Sequence, residues 1–136
     1  MSVDVGQSWQ DHVTMLQNVT SPHLPANSEV MTVVVAWPPG FGGTPPHRHL
    51  SGPVFGYVIE GEMLFELEGE APRVIKAGEA FWEPGRDVIH YSDANNRTDI
   101  PLRFVVTMMC VPGQQMLTLV DREELEERSS RRVRLP

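Results

Sequence analysis

Two histidines separated by one residue, His47 and His49, follow a pair of prolines in this chain. The segment is expected to be extended, and in an extended strand residues two positions apart point to the same side. Neutral histidine is the commonest metal ligand in proteins, and this chain has only five histidines. Placing two of them on one strand face predicts a site where both rings hold one metal ion.

A second histidine segment, residues 77–95, carries a glycine, a Pro-Gly pair, a histidine and an asparagine. Together the two segments resemble the paired motifs of the cupin superfamily. The resemblance implies a small antiparallel β-barrel that holds a divalent metal in its interior, with His47, His49 and His90 as ligands. It is carried by His47, His49, Gly61, Gly78, Pro84, Gly85, His90 and Asn95.

The first cupin motif usually includes an acidic ligand, which is missing here. That position falls at Pro53 or Val54, and neither side chain can bind a metal. Three neutral histidines would leave a divalent ion its full charge, as a strong Lewis acid with positions open to water or substrate. Imidazole suits both zinc and Fe(II), and zinc is favoured here. His12 and His23 are candidates for a fourth protein ligand.

The composition predicts one soluble, cytoplasmic domain. The chain has 136 residues, a net charge of -7 and one cysteine. Nucleic-acid binding, which needs clustered positive charge, is not expected, and a multi-cysteine zinc site is excluded. The sequence shows neither an apolar run of about 18 residues nor a secretory leader. We expect a cupin core at residues 28–120, with flexible segments at 1–12 and 129–136.

Twelve prolines and eleven glycines separate short β-branched and aromatic runs, which is typical of many short strands joined by turns. The predicted fold is all-β, a cupin-type antiparallel barrel or jelly-roll sandwich with a short C-terminal helix that begins at Asp121. We expect residues 30–37 to be buried on both faces, and a hairpin to turn at Gly61. The expected strands are 13–19, 30–37, 54–60, 63–68, 73–76, 78–83, the segment at His90, and 102–111.

One face of each of two strands is expected to line the pocket. Alternation places three residues of the 54–60 strand on the face that the cupin resemblance turns toward the metal. The more apolar face of the 102–111 strand adds two more. Alternatively, Gly56 marks a bulge or a close strand contact. The predicted lining is Val54, Gly56, Val58, Phe104 and Met108.

A water-poor pocket of this kind suits an apolar, aromatic or polyketide-type substrate whose oxygens reach the metal. The motifs also resemble those of small single-domain bacterial cupins, among which aromatic polyketide cyclases occur. The favoured hypothesis is therefore a metal-dependent cyclase, with Glu83 as a candidate general base. An Fe(II)-dependent dioxygenase with three histidines and a non-catalytic metal- or ligand-binding barrel are the alternatives.

The second face of the 54–60 strand is also apolar. It carries Phe55, Tyr57 and Ile59, which need cover from another surface. Small cupins resemble sandwiches, whose exposed edges are commonly covered by a partner strand. We therefore expect a homodimer.

Overall fold

Short apolar runs separated by turns form nine strands in the computed structural model, which describes residues 8–21 and 24–134. One short helix and two 3-10 turns, at Trp9–His12 and Ser129–Arg131, complete the regular secondary structure of the described residues. The strands are β1 (Glu29–Trp37), β2 (His47–Arg48), β3 (Val54–Glu60), β4 (Glu62–Leu67), β5 (Arg73–Lys76), β6 (Ala80–Glu83), β7 (His90–Asn95), β8 (Leu102–Cys110) and β9 (Thr118–Leu119), and the helix is α1 (Arg122–Glu127).

The strands form two antiparallel sheets. The first has the order β1-β8-β3-β6 and the second the order β5-β4-β7-β2-β9. Helix α1 starts as predicted, because the carboxylate of Asp121 accepts a hydrogen bond of 2.8 Å from the Glu124 amide. The predicted all-β sandwich with a short C-terminal helix is confirmed. No helix in the described residues has the length and apolar composition of a membrane span.

The predicted hairpin at Gly61 is wrong. β3 is hydrogen-bonded to β8 on one side and β6 on the other, whereas β4 pairs with β5 and β7. Both edges of β3 are therefore occupied by other strands. The turn at Gly61 instead carries the chain from the first sheet to the second.

The apolar core lies between the two sheets. β8 alternates as predicted, with its even-numbered side chains buried and the intervening residues more exposed. Phe81 sits centrally, its ring 5.4 Å from the Phe65 ring and 6.0 Å from the Phe104 ring. The largest buried cluster contains Val54, Val58, Met63, Phe65, Leu67, Ile75, Phe81, Leu102, Phe104, Val106 and Met108.

Strand β1 is not buried on both faces as predicted. It forms an edge of the first sheet, and only its inward side chains, such as Val33 and Val35, pack against the core. Val30 and Val34 point away from the core and are 64% and 58% exposed. Residues 13–19 are predicted to form a strand at a sheet edge or across a dimer. In the single chain this segment is not a strand and joins neither sheet. Gln17 contacts β6 through one hydrogen bond to the Phe81 carbonyl.

The outer face of the first sheet carries a row of apolar side chains. Val34 pairs with Val105, and Val105 pairs with Tyr57, so these side chains form one row across three strands. Val34 and Tyr57 are both exposed in the single chain. A contiguous apolar surface of this kind is typical of a protein-protein contact.

We predict that this face forms the interface of a homodimer, because pairing two copies would remove the apolar row from water. Light scattering at micromolar concentration should give the mass of two chains. Val34→Glu should yield a monomer, since it places a charge in the row. Val74→Glu, at a similarly exposed valine of the other sheet, should remain a dimer. A monomeric parent protein would contradict the prediction.

Gly56 allows the close approach of the Phe81 ring. A Cβ at position 56 would lie 2.1 Å from Phe81 Cζ, so the ring occupies the space of the missing side chain. Of the two interpretations of Gly56, the structure therefore shows the close contact.

We predict that Gly56→Ala lowers the free energy of unfolding by about 1–3 kcal/mol, the usual cost of overpacking a core. Gly42→Ala is the matched control, because nothing lies within 4 Å of a Cβ at that exposed position. Chemical denaturation of both variants measures the difference. Equal stability of the two variants would show that Phe81 moves without cost.

Candidate metal centre

Three histidines meet on the inner face of the second sheet. β2 and β7 pair so that His47 lies directly opposite His90. His49 follows just beyond the end of β2, two residues from His47, and all three side chains are buried. The ring centroids of His47 lie 5.0 Å from His49 and 4.9 Å from His90.

Backbone carbonyls orient two of these rings. His47 Nδ1 lies 2.9 Å from the carbonyl oxygen of Pro45, and His49 Nδ1 lies 2.9 Å from that of Met116. A carbonyl only accepts hydrogen bonds, so each Nδ1 carries the proton and each Nε2 keeps its lone pair. This is the arrangement found in metal-ligating histidines, in which the second ring nitrogen donates to an outer partner.

A carboxylate completes the cluster from the neighbouring sheet. Glu83, on β6, is 2% exposed. Its Oε2 lies 2.8 Å from His90 Nδ1 and its Oε1 lies 3.4 Å from His49 Nε2. One potential ligand atom from each of the four residues lies within 4.8 Å of the others. The centre is therefore three histidines with one glutamate, rather than three histidines alone.

Strand register explains where the carboxylate comes from. β6 pairs with β3 so that Glu83 lies directly opposite Val54, one of the two positions at which the usual acidic ligand is absent. Linear spacing alone missed Glu83 as a ligand. One signal was available in the sequence: Phe81 and Glu83 share a strand face, so an inward aromatic residue would also turn the glutamate inward.

The charges of the cluster favour the metal-binding forms of Glu83 and His47, whereas His90 would have to lose a proton to bind a metal. Burial alone opposes ionisation of Glu83, but the adjacent His90, together with His49 and His47, offsets burial, and the pKa of the carboxyl group is lowered. Burial likewise opposes a charge on His90, whereas Glu83 raises the pKa of that imidazole. Burial, assisted by His90, lowers the pKa of His47. A carboxylate and a neutral imidazole are the forms in which these groups bind metals.

Several polar atoms of the cluster lack hydrogen-bond partners. The contact between His90 Nδ1 and Glu83 Oε2 does not have hydrogen-bond geometry. Glu83 Oε1 and both ring nitrogens of His90 therefore have no such partner among the described residues. Buried polar atoms are rarely left unpaired in proteins. A divalent cation would satisfy Glu83 Oε1 and one ring nitrogen of His90, so the donor set fits such an ion.

The loop from β6 to β7 packs against the segment that carries His49. The Arg86 amide donates a 2.7 Å hydrogen bond to the His49 carbonyl. Gly85 has a φ of 73°, and a Cβ there would lie 1.9 Å from the Gly52 carbonyl oxygen. Only glycine combines this dihedral angle with so close an approach. The loop thereby fixes Glu83 and His90 relative to His49.

The cluster opens into a cavity of about 190 Å³ between the sheets. Of the predicted lining residues, Val54, Phe104 and Met108 line the cavity, whereas Gly56 and Val58 do not. The ring of Phe81 covers Gly56. Neither arginine nor lysine lines it among the described residues. The lining consists of Val33, Val35, Thr44, His47, His49, Val54, Phe81, Glu83, His90, Asp93, Phe104, Val106, Met108 and Leu117.

Of the two other histidines, only His12 is among the described residues, and it does not join the cluster. His12 is exposed in the first 3-10 turn and is not one of the grouped ligands. His23 lies outside the described residues. Within the described part of the chain, the fourth potential ligand is therefore Glu83.

Asp93 is a polar lining residue that sequence reasoning missed. Its Oδ1 accepts a 2.7 Å hydrogen bond from the Thr44 amide, and its Oδ2 accepts one of 2.9 Å from the Thr44 hydroxyl. Strict alternation from His90 would turn Asp93 outward. A register shift between β4 and β7 changes the alternation, so both side chains face inward.

Comparison with known proteins agrees with this architecture. Residues 33–108 match the profile of the Cupin domain. KdgF from Halomonas sp. is 31% identical over 67% of this chain and 74% of its own, with a TM-score of 0.49. The DMSP lyase DddQ from Ruegeria pomeroyi is 23% identical over 67% of this chain, with a TM-score of 0.51. The present chain covers only 43% of DddQ.

A conserved protein with a double-stranded β-helix domain from Klebsiella pneumoniae has a similar fold over a larger part of this chain. It is 20% identical over 89% of this chain and 100% of its own, with a TM-score of 0.54. Among proteins with curated descriptions, none matches the chain. The domain match covers more than half of the sequence and includes all four residues of the cluster, so the chain belongs to the cupin superfamily.

Proposed function

We propose that this protein is a divalent-metal-dependent enzyme acting on a small aromatic or polyketide-type substrate, with His47, His49, His90 and Glu83 as the metal ligands. The observation that carries the proposal is the buried cluster of three histidines and one carboxylate, which opens into a mainly apolar cavity. Zinc is the metal we favour, because nitrogen and oxygen ligands suit it and the proposed chemistry involves no electron transfer.

The cavity limits what can enter. Its volume of about 190 Å³ lies below the roughly 300–1,000 Å³ of pockets that enclose drug-sized ligands. One aromatic ring with a short ketone chain fits this space, whereas a polycyclic product does not. We therefore propose that only the reacting unit of a longer substrate enters, and that its carbon skeleton packs against Val54, Phe104 and Met108.

In the proposed reaction, a bound metal would act as a Lewis acid that polarises the carbonyl group of the substrate. The backbone contacts of His47 and His49 hold their rings in fixed orientations. Glu83, the one carboxylate of the cluster, would accept the proton from the carbon next to that carbonyl through whichever of its oxygens does not bind the metal. The apolar walls exclude water from the carbanion, and Glu83 later returns the proton to the substrate or product.

The ligand assignment predicts that His47→Ala and His90→Ala each lose most of the bound metal. The apolar core is separate from the ligands, so both variants should keep a cooperative thermal unfolding transition. Elemental analysis of the purified proteins measures the metal. His12→Ala, which changes an exposed histidine, should keep the occupancy of the parent protein. Full occupancy in both site variants would refute the ligand set, and a parent protein without metal would favour a non-catalytic barrel.

The proton-transfer role predicts exchange of the α-hydrogens of acetophenone, a single-ring ketone, in deuterated buffer with the zinc-loaded protein. Glu83→Gln should slow this exchange by at least about 100-fold, the typical contribution of a general base. Nuclear magnetic resonance follows the exchange, and rates are compared at equal metal occupancy. Glu70→Gln, at an exposed glutamate, should exchange at the parent rate.

Two results would redirect the proposal. Equal exchange by Glu83→Gln and the parent protein would remove Glu83 as the base. Oxygen consumption by the Fe(II)-loaded protein with an aromatic substrate, and no exchange with zinc, would favour the dioxygenase instead.

A further inference from the structure

The outer side of the metal-binding sheet carries a network of ion pairs that the proposed chemistry does not use. Its centre is Arg128, which immediately follows α1 and is 9% exposed. The guanidinium group donates to both carboxylate oxygens of Glu68, to the side chain and backbone carbonyl of Asp87, and to Glu124. Charge-assisted bonds of this kind are the stronger class of hydrogen bond.

Glu124 extends the network to the segment that carries two of the proposed ligands, His47 on β2 and His49 just after it. Both of its carboxylate oxygens accept hydrogen bonds from the guanidinium group of Arg48. Arg48 lies between His47 and His49, and alternation turns its side chain to the opposite side of the strand. The helix therefore holds β2 from outside while the two histidines face the cavity.

The same network reaches the other two ligands through their connecting loop. Asp87 lies in the loop that joins Glu83 to His90, and Arg128 binds both its side chain and its carbonyl oxygen. A second arginine, Arg132, binds the buried carboxylate of Glu66 with contacts of 2.6 and 2.8 Å. Its guanidinium carbon also lies 4.4 Å from the ring centroid of Tyr91, the residue next to His90.

Strand β2 needs support of this kind because its backbone pairing is short. The strand has only two residues, and a single residue pair, His47 with His90, joins it to β7. Two pairs join it to β9, which is itself only two residues long. So few backbone contacts leave the orientation of the ligand side chains dependent on outside contacts.

We propose that α1 and the turn after it form an external clamp, in which Glu124 acts through Arg48 as a positioning residue for the metal ligands. The inference rests on the proposed metal site, and it assigns a role to residues that touch neither metal nor substrate. The clamp contacts are partly buried, with 15% of the Arg48 side chain exposed and 30% of that of Glu124. Solvent therefore screens them less than an exposed pair.

The test compares two variants of the same helix. Glu124→Gln removes the clamp contact to Arg48, whereas Glu126→Gln removes the same charge from an exposed pair with Arg122. Titration of the metal-free proteins with Co²⁺ gives the affinity and the visible absorption spectrum of the bound ion. We expect Glu124→Gln to bind about tenfold more weakly, at the low end for residues that orient metal ligands, and to shift the spectrum. Glu126→Gln should match the parent protein.

A double-mutant cycle tests the route through Arg48. Arg48→Gln alone should weaken Co²⁺ binding about as much as Glu124→Gln, and the two changes together should cost little more than either one. Fully additive losses would overturn the route through Arg48. Arg122→Gln, at an exposed arginine of the same helix, is the matched control for Arg48→Gln and should bind like the parent protein.

The outcomes separate this inference from the proposed function. A parent protein that does not bind Co²⁺ would overturn the metal site and, with it, the clamp. Binding by the parent protein with the same affinity and spectrum in Glu124→Gln would overturn the clamp alone. If Glu124→Gln does not fold, Co²⁺ binding by Arg48→Gln is compared with binding by Arg122→Gln instead. Arg48→Gln tests the same contact, and it leaves the Arg128 contacts to Glu68 and Asp87 in place.

Discussion

The burial of one carboxylate among three imidazoles is the constraint on which this structure depends. Glu83 lies almost entirely out of water, where an unpaired charge would be very costly. Its stability inside the barrel requires opposite charge close by, from a protonated His90 or a bound cation. The histidines of the opposite sheet must therefore reach the Glu83 carboxylate. The apolar core around them must also leave space for all four side chains.

Strand pairing in both sheets brings the carboxylate and the histidines together. The pairing of β2 with β7 brings His47 and His90 together, and the pairing of β3 with β6 delivers the carboxylate to the same point. The loop at Gly85 joins these two arrangements through backbone contacts. Because the ligands come from short strands and a loop, their geometry depends on packing and on side-chain contacts as much as on the backbone ladder.

Much of the fold could be predicted from the sequence, as could the three histidines as ligands, whereas Glu83 was predicted only as a base and not as a ligand. Histidine spacing and turn residues are local properties that can be read directly from the sequence. They predicted the cupin barrel and the ligands His47, His49 and His90. The partner of each strand is a long-range property. The sequence did not reveal that β3 and β4 belong to different sheets or that β1 is an edge strand. A register shift likewise hid the inward position of Asp93.

The pairing of Val54 with Glu83 also bears on how cupin sequences are compared. These residues are far apart in the chain but are direct neighbours across two strands, so an acid at either place could reach the same point in the barrel. A linear motif treats the two positions as independent and scores this chain as lacking its acidic ligand. The strand pairing puts both positions at the same point in the barrel, so the unit to be compared is the pair of facing positions rather than a single position.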